Sequence, residues 1–186
     1  MKKGLVTFCI IFLVIMQTFA IGTTKVENGD ETLNPNKITL GVGGVLEVFT
    51  SEEMENFDPG LGFSVHLGLG NYVSGYFDMT FSKQHKIMSG VQASLQDQFI
   101  IGALTIPIIN DGNSIFKLGG GCNLIRTKTT GDFFGITSNS VELTNGFCIL
   151  AEITSNTFTG CVKYIVPSEG DISEGSILIS AMVNLI

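Results

Sequence analysis

From residue 37 to the end, the chain repeats one unit: a strand-length run alternating between apolar and small or polar residues, followed by a connection. The stretch "SIFKLGGGCNLI" is representative. Phe116, Leu118, Gly120, Cys122 and Leu124 fall on one face, and Lys117, Gly119, Gly121 and Asn123 on the other. A period of two belongs to a strand, because successive side chains leave a strand on opposite sides. Eight such strands are predicted, at 37–49, 61–71, 73–83, 98–109, 114–127, 141–153, 157–166 and 176–186.

The connections alternate in length. "NYV", "NDGN" and "TSNT" are tight, whereas "TSEEMENFDPG", "KQHKIMSGVQASLQD", "KTTGDFFGITSNS" and "PSEGDISEG" are long. Long and short in turn place every long loop at one end of an up-and-down sheet. Closing eight antiparallel strands into a barrel removes the sheet edges, which are otherwise open to aggregation.

Which face meets water decides the kind of barrel. The apolar faces carry runs such as Leu61, Phe63, Val65, Leu67 and Leu69, or Phe147, Ile149, Ala151 and Ile153, and no Asp, Glu, Lys or Arg interrupts these runs. The opposite faces carry Gly41, Gly43, Ser64, Gly68, Thr80, Gly119, Gly121, Asn123, Thr159 and Ser180. A water-exposed exterior normally mixes many charges of both signs. Glycine is costly within a strand unless crowding demands it, and small residues suit the narrow interior of an eight-stranded barrel. The expectation is an all-β, eight-stranded antiparallel up-and-down transmembrane β-barrel with its apolar face outward. The alternative is a soluble, secreted lipocalin-like barrel with the apolar face inward around a small apolar ligand. The strand "QFIIGALTIPII" is apolar on both faces, and its facing stays open.

On the membrane reading, the charges of the small-residue face form a luminal polar network: Glu47, His66, Asp78, Lys117, Glu142, Glu152 and Lys163. Confined together, such groups should pair, since an unpaired buried charge is costly. Ser64, His66 and Asp78 also permit a Ser-His-Asp arrangement. Ser64 and His66 share a face, and a three-residue connection at 71–73 sets position 66 opposite 78. Polar packing accounts for the same residues, and no catalytic residue is assigned. A lipid-modifying enzyme is the third reading, and it needs Ser64 and His66 near the membrane edge.

The start, "MKKGLVTFCIIFLVIMQTFA", has the layout of a cleaved export signal: Lys2 and Lys3, an apolar stretch, and a small-x-small end at Thr18-Phe19-Ala20. Cleavage after Gly22 is the alternative. Residues 1–20 are read as signal peptide, 21–36 as a flexible polar segment, and 37–186 as the barrel domain. The formal charge is −7, and losing Lys2 and Lys3 takes it to −9, which argues against nucleic acid as a partner. Beyond the leader no run approaches the ~18 apolar residues of a membrane helix, although the mean hydropathy is +0.39.

Cys122, Cys148 and Cys161 remain after the leader takes Cys9. Cys122 should face lipid, and Cys148 and Cys161 point inward from neighbouring strands. A turn at Thr154-Ser155 opposes them and allows a disulfide, whereas one at Ser155-Asn156 offsets them by two residues. "GVGG" and "GGGC" lack the following helix of a phosphate loop. No cofactor or metal site is assigned. The acids Glu52, Glu53, Glu55 and Asp58, and Glu169, Asp171 and Glu174, are read as solvated loop residues rather than cation ligands. Phe133 and Phe134, at the tip of the third long loop, either mark a contact surface or pack beneath it.

"LTIPIINDGNSIFKLGGGCNLI" and the strand pair "GFCILAEITSNTFTGCVKYIVP" resemble the small outer-membrane β-barrel proteins of Bacteroidetes-type bacteria, including the PorT-like group. The shared pattern is a strand ending in x-I-P, a short turn and a Gly-rich strand, with an aromatic such as Tyr164 in the later hairpin. The chain departs from the usual barrel ending, because Leu185 rather than an aromatic holds the lipid-facing phase. The resemblance implies insertion into a bacterial outer membrane, with outer-membrane lipid as the surrounding partner. The expected role is structural or adhesion-like, through protein partners at the long loops. A lumen filled by side chains makes a general diffusion pore unexpected.

Overall fold

Eight strands follow one another around a single ring, each paired antiparallel with its neighbour in the chain. They are β1 (Ile38–Phe49), β2 (Gly60–Leu69), β3 (Val73–Lys83), β4 (Val91–Asn110), β5 (Ser114–Phe133), β6 (Ile136–Ser155), β7 (Phe158–Pro167) and β8 (Ser176–Asn184). The ring closes between β1 and β8, which pair from Gly41 opposite Asn184 to Phe49 opposite Ser176. This computed structural model describes residues 38–51, 54, 57–84, 91–134, 136–168 and 175–186. The leader, the 21–36 segment and the acids Glu52, Glu53, Glu55, Glu169, Asp171 and Glu174 lie outside the described residues, as does the side chain of Phe133.

The tight turns are built by their own side chains. In "NDGN", Asp111 Oδ1 accepts from the backbone N–H groups of Asn113 and Ser114, and Asn110 Oδ1 accepts from that of Gly112. Gly112 sits at φ 86°, a conformation that L side chains rarely adopt. Pro107 falls beside a register shift between Pro107 and Ile109, near the turn, where a missing donor is tolerable.

The facing of the strands is as the alternation predicts. Leu61, Phe63, Leu67, Leu69, Leu118, Leu124, Phe147, Ile149 and Val183 are exposed on the outer wall. The lipocalin-type alternative would bury these residues, and the structure turns them outward. The strand with undetermined facing resolves as well. Phe99, Ile101, Ala103 and Thr105 point inward and are buried, while Ile100, Leu104 and Ile106 are exposed.

Three strands are longer than the sequence suggests. β4 begins at Val91 rather than 98, β5 runs to Phe133 rather than 127, and β6 begins at Ile136 rather than 141. Much of what reads as two long loops is therefore paired strand, with β5 and β6 in register up to Phe133 opposite Ile136. β7 meets β6 only from Gly146 onward, so residues 136–145 rise beyond the closed ring. Both faces of that extension are open, and no burial writes an alternation into it. Its Thr, Ser and Asn residues hold strand conformation through pairing and contacts such as Thr130 Oγ1 donating to Asn139 Oδ1 at 2.8 Å.

Candidate functional site: the barrel lumen and its loop-end rim

The inner wall presents buried polar groups from every strand. Glu47, His66, Asp78, Lys117, Glu152 and Lys163, all expected in the lumen, are each 2% exposed or less. Glu142 is not among them. It has the inward parity of Glu152, but it stands on the part of β6 that outruns β7 and is exposed, paired across to Thr127.

Glu152 is the hub. Its Oε1 accepts from Lys117 Nζ at 2.8 Å and from Thr154 Oγ1 at 2.7 Å. Its Oε2 accepts from Ser74 Oγ at 2.8 Å and from the Tyr76 hydroxyl, with His66 Nε2 3.6 Å away. Lys163 Nζ donates to Asp78 Oδ2 at 2.6 Å and lies 4.0 Å above the Tyr76 ring, against which His66 also packs. β3 and β7 stand four places apart in the ring of eight, as do β2 and β6. The Lys163–Asp78 bond and the His66–Glu152 approach therefore span the lumen from wall to wall. Phe99, Ile101, Leu150, Ile165, Leu178 and Met182 fill the space around them. At this level the lumen is crossed by ion pairs and packed with side chains.

The Ser-His-Asp arrangement does not assemble. The turn at Gly70 shifts the register by two, so that Ser64 is opposite Asp78 and His66 opposite Tyr76. Ser64 Oγ donates to Met182 Sδ at 3.3 Å, and neither ring nitrogen of His66 has a hydrogen-bond partner among the described residues. All three side chains are buried in mid-barrel, away from the edge where a lipid-modifying site would have to lie.

The proposed disulfide also meets a different register. Cys148 pairs with Ile165 and Cys161 with Glu152, an offset of four residues. At ~3.3 Å per residue the two thiols sit on levels too far apart to bridge, and both are free and buried, whereas Cys122 is exposed on the outer wall.

Three luminal residues carry more of the network than the sequence suggests. Tyr76 and Ser74 share the parity of Asp78 and Thr80, which is the signal that could have found them. Asp97 falls in a stretch that reads as loop. Asp97 and Glu47 line one pocket of about 160 Å³ at the loop end of the lumen. There Glu47 accepts from Thr80 Oγ1, and Thr127 bonds to Asp97.

Apolar residues outward and charged residues inward define a transmembrane barrel, on the fold of the eight-stranded outer-membrane barrels. No protein-family model and no curated protein matches the sequence. Among solved structures the chain is similar to Neisserial surface protein A, with 18% identity, 79% of this chain and 95% of that chain covered, and a TM-score of 0.50. It is also similar to Ail, the attachment invasion locus protein of Yersinia pestis, at 10% identity, 80% and 97% coverage and a TM-score of 0.47. The N-terminal β-barrel domain of Pseudomonas aeruginosa OprF follows at 12% identity, 79% and 97% coverage and a TM-score of 0.43.

Proposed function

We propose that this chain is an integral protein of a bacterial outer membrane, exported by its 1–20 leader. Its barrel is an anchor, and its role is structural or interaction-based, carried by the long connections. The short turns face the periplasm and the long end faces outward, as in other outer-membrane barrels. Within that class, the x-I-P strand, tight turn and Gly-rich strand favour the PorT-like group. The β5–β6 hairpin is the part best placed to meet a protein partner. It outruns the ring and carries exposed Phe134 at its tip, with Ile136, Val141 and Leu143 behind it.

One observation carries the reading: a belt of exposed Leu, Ile, Val and Phe surrounds a lumen closed by buried ion pairs. The reading assigns no enzymatic activity to the barrel: among the described residues Ser64 bonds to Met182 rather than to His66. The test is cell fractionation followed by electrophoresis with and without boiling. The expected result is a membrane-bound protein whose mobility changes on boiling, since closed barrels stay folded in cold detergent. A soluble protein with no such change overturns the reading.

A further inference from the structure

The apolar belt ends on one sector of the wall in a cluster of cations. The outward rows of β3, β4 and β5, read in register toward the loop end, begin with Phe77, Ile100 and Leu124. The next row is Met79, Gln98 and Arg126, then Phe81, Gln96 and Lys128, then Lys83, Ser94 and Thr130. Each row adds one cation, at a spacing of roughly 7 Å along the strands.

The distribution of positive charge makes this sector distinctive. The chain has 10 Lys and Arg against 17 Asp and Glu. Lys117 and Lys163 are spent inside the lumen. Lys2, Lys3, Lys25, Lys37 and Lys86 lie outside the described residues. Every other cation, namely Lys83, Arg126 and Lys128, stands on this one outer face.

A groove of about 420 Å³ runs beside them, with Leu61 and Phe81 as apolar walls and Lys83, Lys128, Gln96, Ser94 and Thr130 as polar lining. Leu61 is 66% and Phe81 52% exposed, so the apolar wall is open to the surroundings of the barrel. Asp58 also lines the groove, its backbone N–H donating to the Lys83 carbonyl at 2.9 Å. Arg126, one row below, has one guanidinium nitrogen on Gln98 Oε1 at 3.3 Å, which holds its fork outward at the level where the apolar rows stop.

We propose that this groove binds the phosphorylated headgroup of an anionic lipid in the leaflet at the loop end. An acyl chain lies along Phe81, Leu61 and Ile100, and the phosphate is held by Lys83, Arg126 and Lys128. Long Lys and Arg side chains above a lipid-facing wall reach the headgroup level. There they meet an anion in a medium less polar than water, where charge-assisted bonds to phosphate are strong. Gln96 and Ser94 supply a further amide and hydroxyl group to phosphate oxygens. The inference rests on the membrane reading above, because it needs Phe81 and Leu61 to face lipid.

The test titrates the folded barrel, in neutral detergent micelles, with phosphatidic acid and with phosphatidylcholine of the same chains, and counts bound lipid by native mass spectrometry. A Lys or Arg at an anionic interface strengthens binding roughly fivefold. The wild type is therefore expected to retain one phosphatidic acid with a preference of roughly tenfold or more. K83Q/R126Q/K128Q should bring the two lipids within about twofold, and K83Q or K128Q alone should fall between. The single variants keep the test decisive if the triple variant fails to fold. Inorganic phosphate at millimolar concentration should not displace the lipid, and displacement would assign the site to free phosphate and overturn the proposal. Equal retention of both lipids by the wild type, which is also the outcome if the cations serve an acidic protein partner, overturns it too. Insertion into pure phosphatidylcholine vesicles, read by the boiling-dependent gel shift, separates the two levels. No insertion removes the membrane reading itself, whereas insertion without lipid preference removes only the site.

Discussion

Lys163 on β7 and Asp78 on β3 project from opposite walls of the barrel, and their side chains meet at 2.6 Å across its centre. Both are fully buried. Such a pair recovers the cost of desolvation only while both partners are present, and removing one strands the other charge in a dry interior. Lys163→Met alone, or Asp78→Leu alone, should cost about 3–5 kcal/mol. The K163M/D78L double variant should recover most of that loss. Urea unfolding of the vesicle-inserted barrel reads all three. Single variants as stable as the wild type would mean that the pair holds nothing together.

Glu152 and Glu142 lie on the same strand with the same parity, and their substitutions should separate cleanly. Glu152→Gln leaves the Lys117 ammonium buried without a counter-charge and weakens the bonds from Tyr76, Ser74 and Thr154. Breaking a buried pair from one side costs about 3–5 kcal/mol. Glu142→Gln alters an exposed position and should stay within about 0.5 kcal/mol of wild type. The same unfolding measurement compares them. An equal loss at both positions would place Glu142 in the network after all.

That contrast shows what could be read in the sequence and what could not. Burial writes parity into a strand, so the inward set Glu47, His66, Asp78, Lys117, Glu152 and Lys163 was legible from alternation alone. Height along the barrel is not written there. Glu142 has the right parity and lies beyond the wall that would have enclosed it. Register is set by turn geometry, which a two-residue period cannot fix. Each residue by which a turn is displaced slides partners by two: a slide of two moved Tyr76 opposite His66, and a slide of four carried Cys148 away from Cys161. The extension of β6 was invisible because both its faces are open, whereas that of β4 turns Leu95 and Asp97 inward within a stretch otherwise too polar to show the alternation.

The register makes a direct prediction for the cysteines. Cys148 and Cys161 are four residues out of step, so oxidation cannot join them within the folded barrel. The chain without residues 1–20, denatured without reductant and alkylated, should take three adducts per chain by intact mass, on Cys122, Cys148 and Cys161. A single adduct would indicate a disulfide and a register different from the one described.

Gly121 and Gly102 offer the sharpest test of the barrel's interior, because the two lie beside each other on opposite faces of the wall. A Cβ on Gly121 would sit 2.0 Å from the carbonyl oxygen of Gly102 and 2.6 Å from Cα of Ala103, both backbone atoms that cannot rotate away. A Cβ on Gly102 would meet nothing within 4 Å on the lipid side. Glycine is therefore a steric requirement at 121 and a convenience at 102. Gly121→Ala must push β4 and β5 apart in the middle of their pairing, and overpacking of this kind costs about 1–3 kcal/mol or more. Gly102→Ala adds a methyl group to the belt and should be neutral or slightly stabilising. Refolding yield into vesicles, scored by the boiling-dependent gel shift, should fall for G121A and hold for G102A. The reverse order would exchange the inner and outer faces of the sheet, and the barrel would have to be turned inside out.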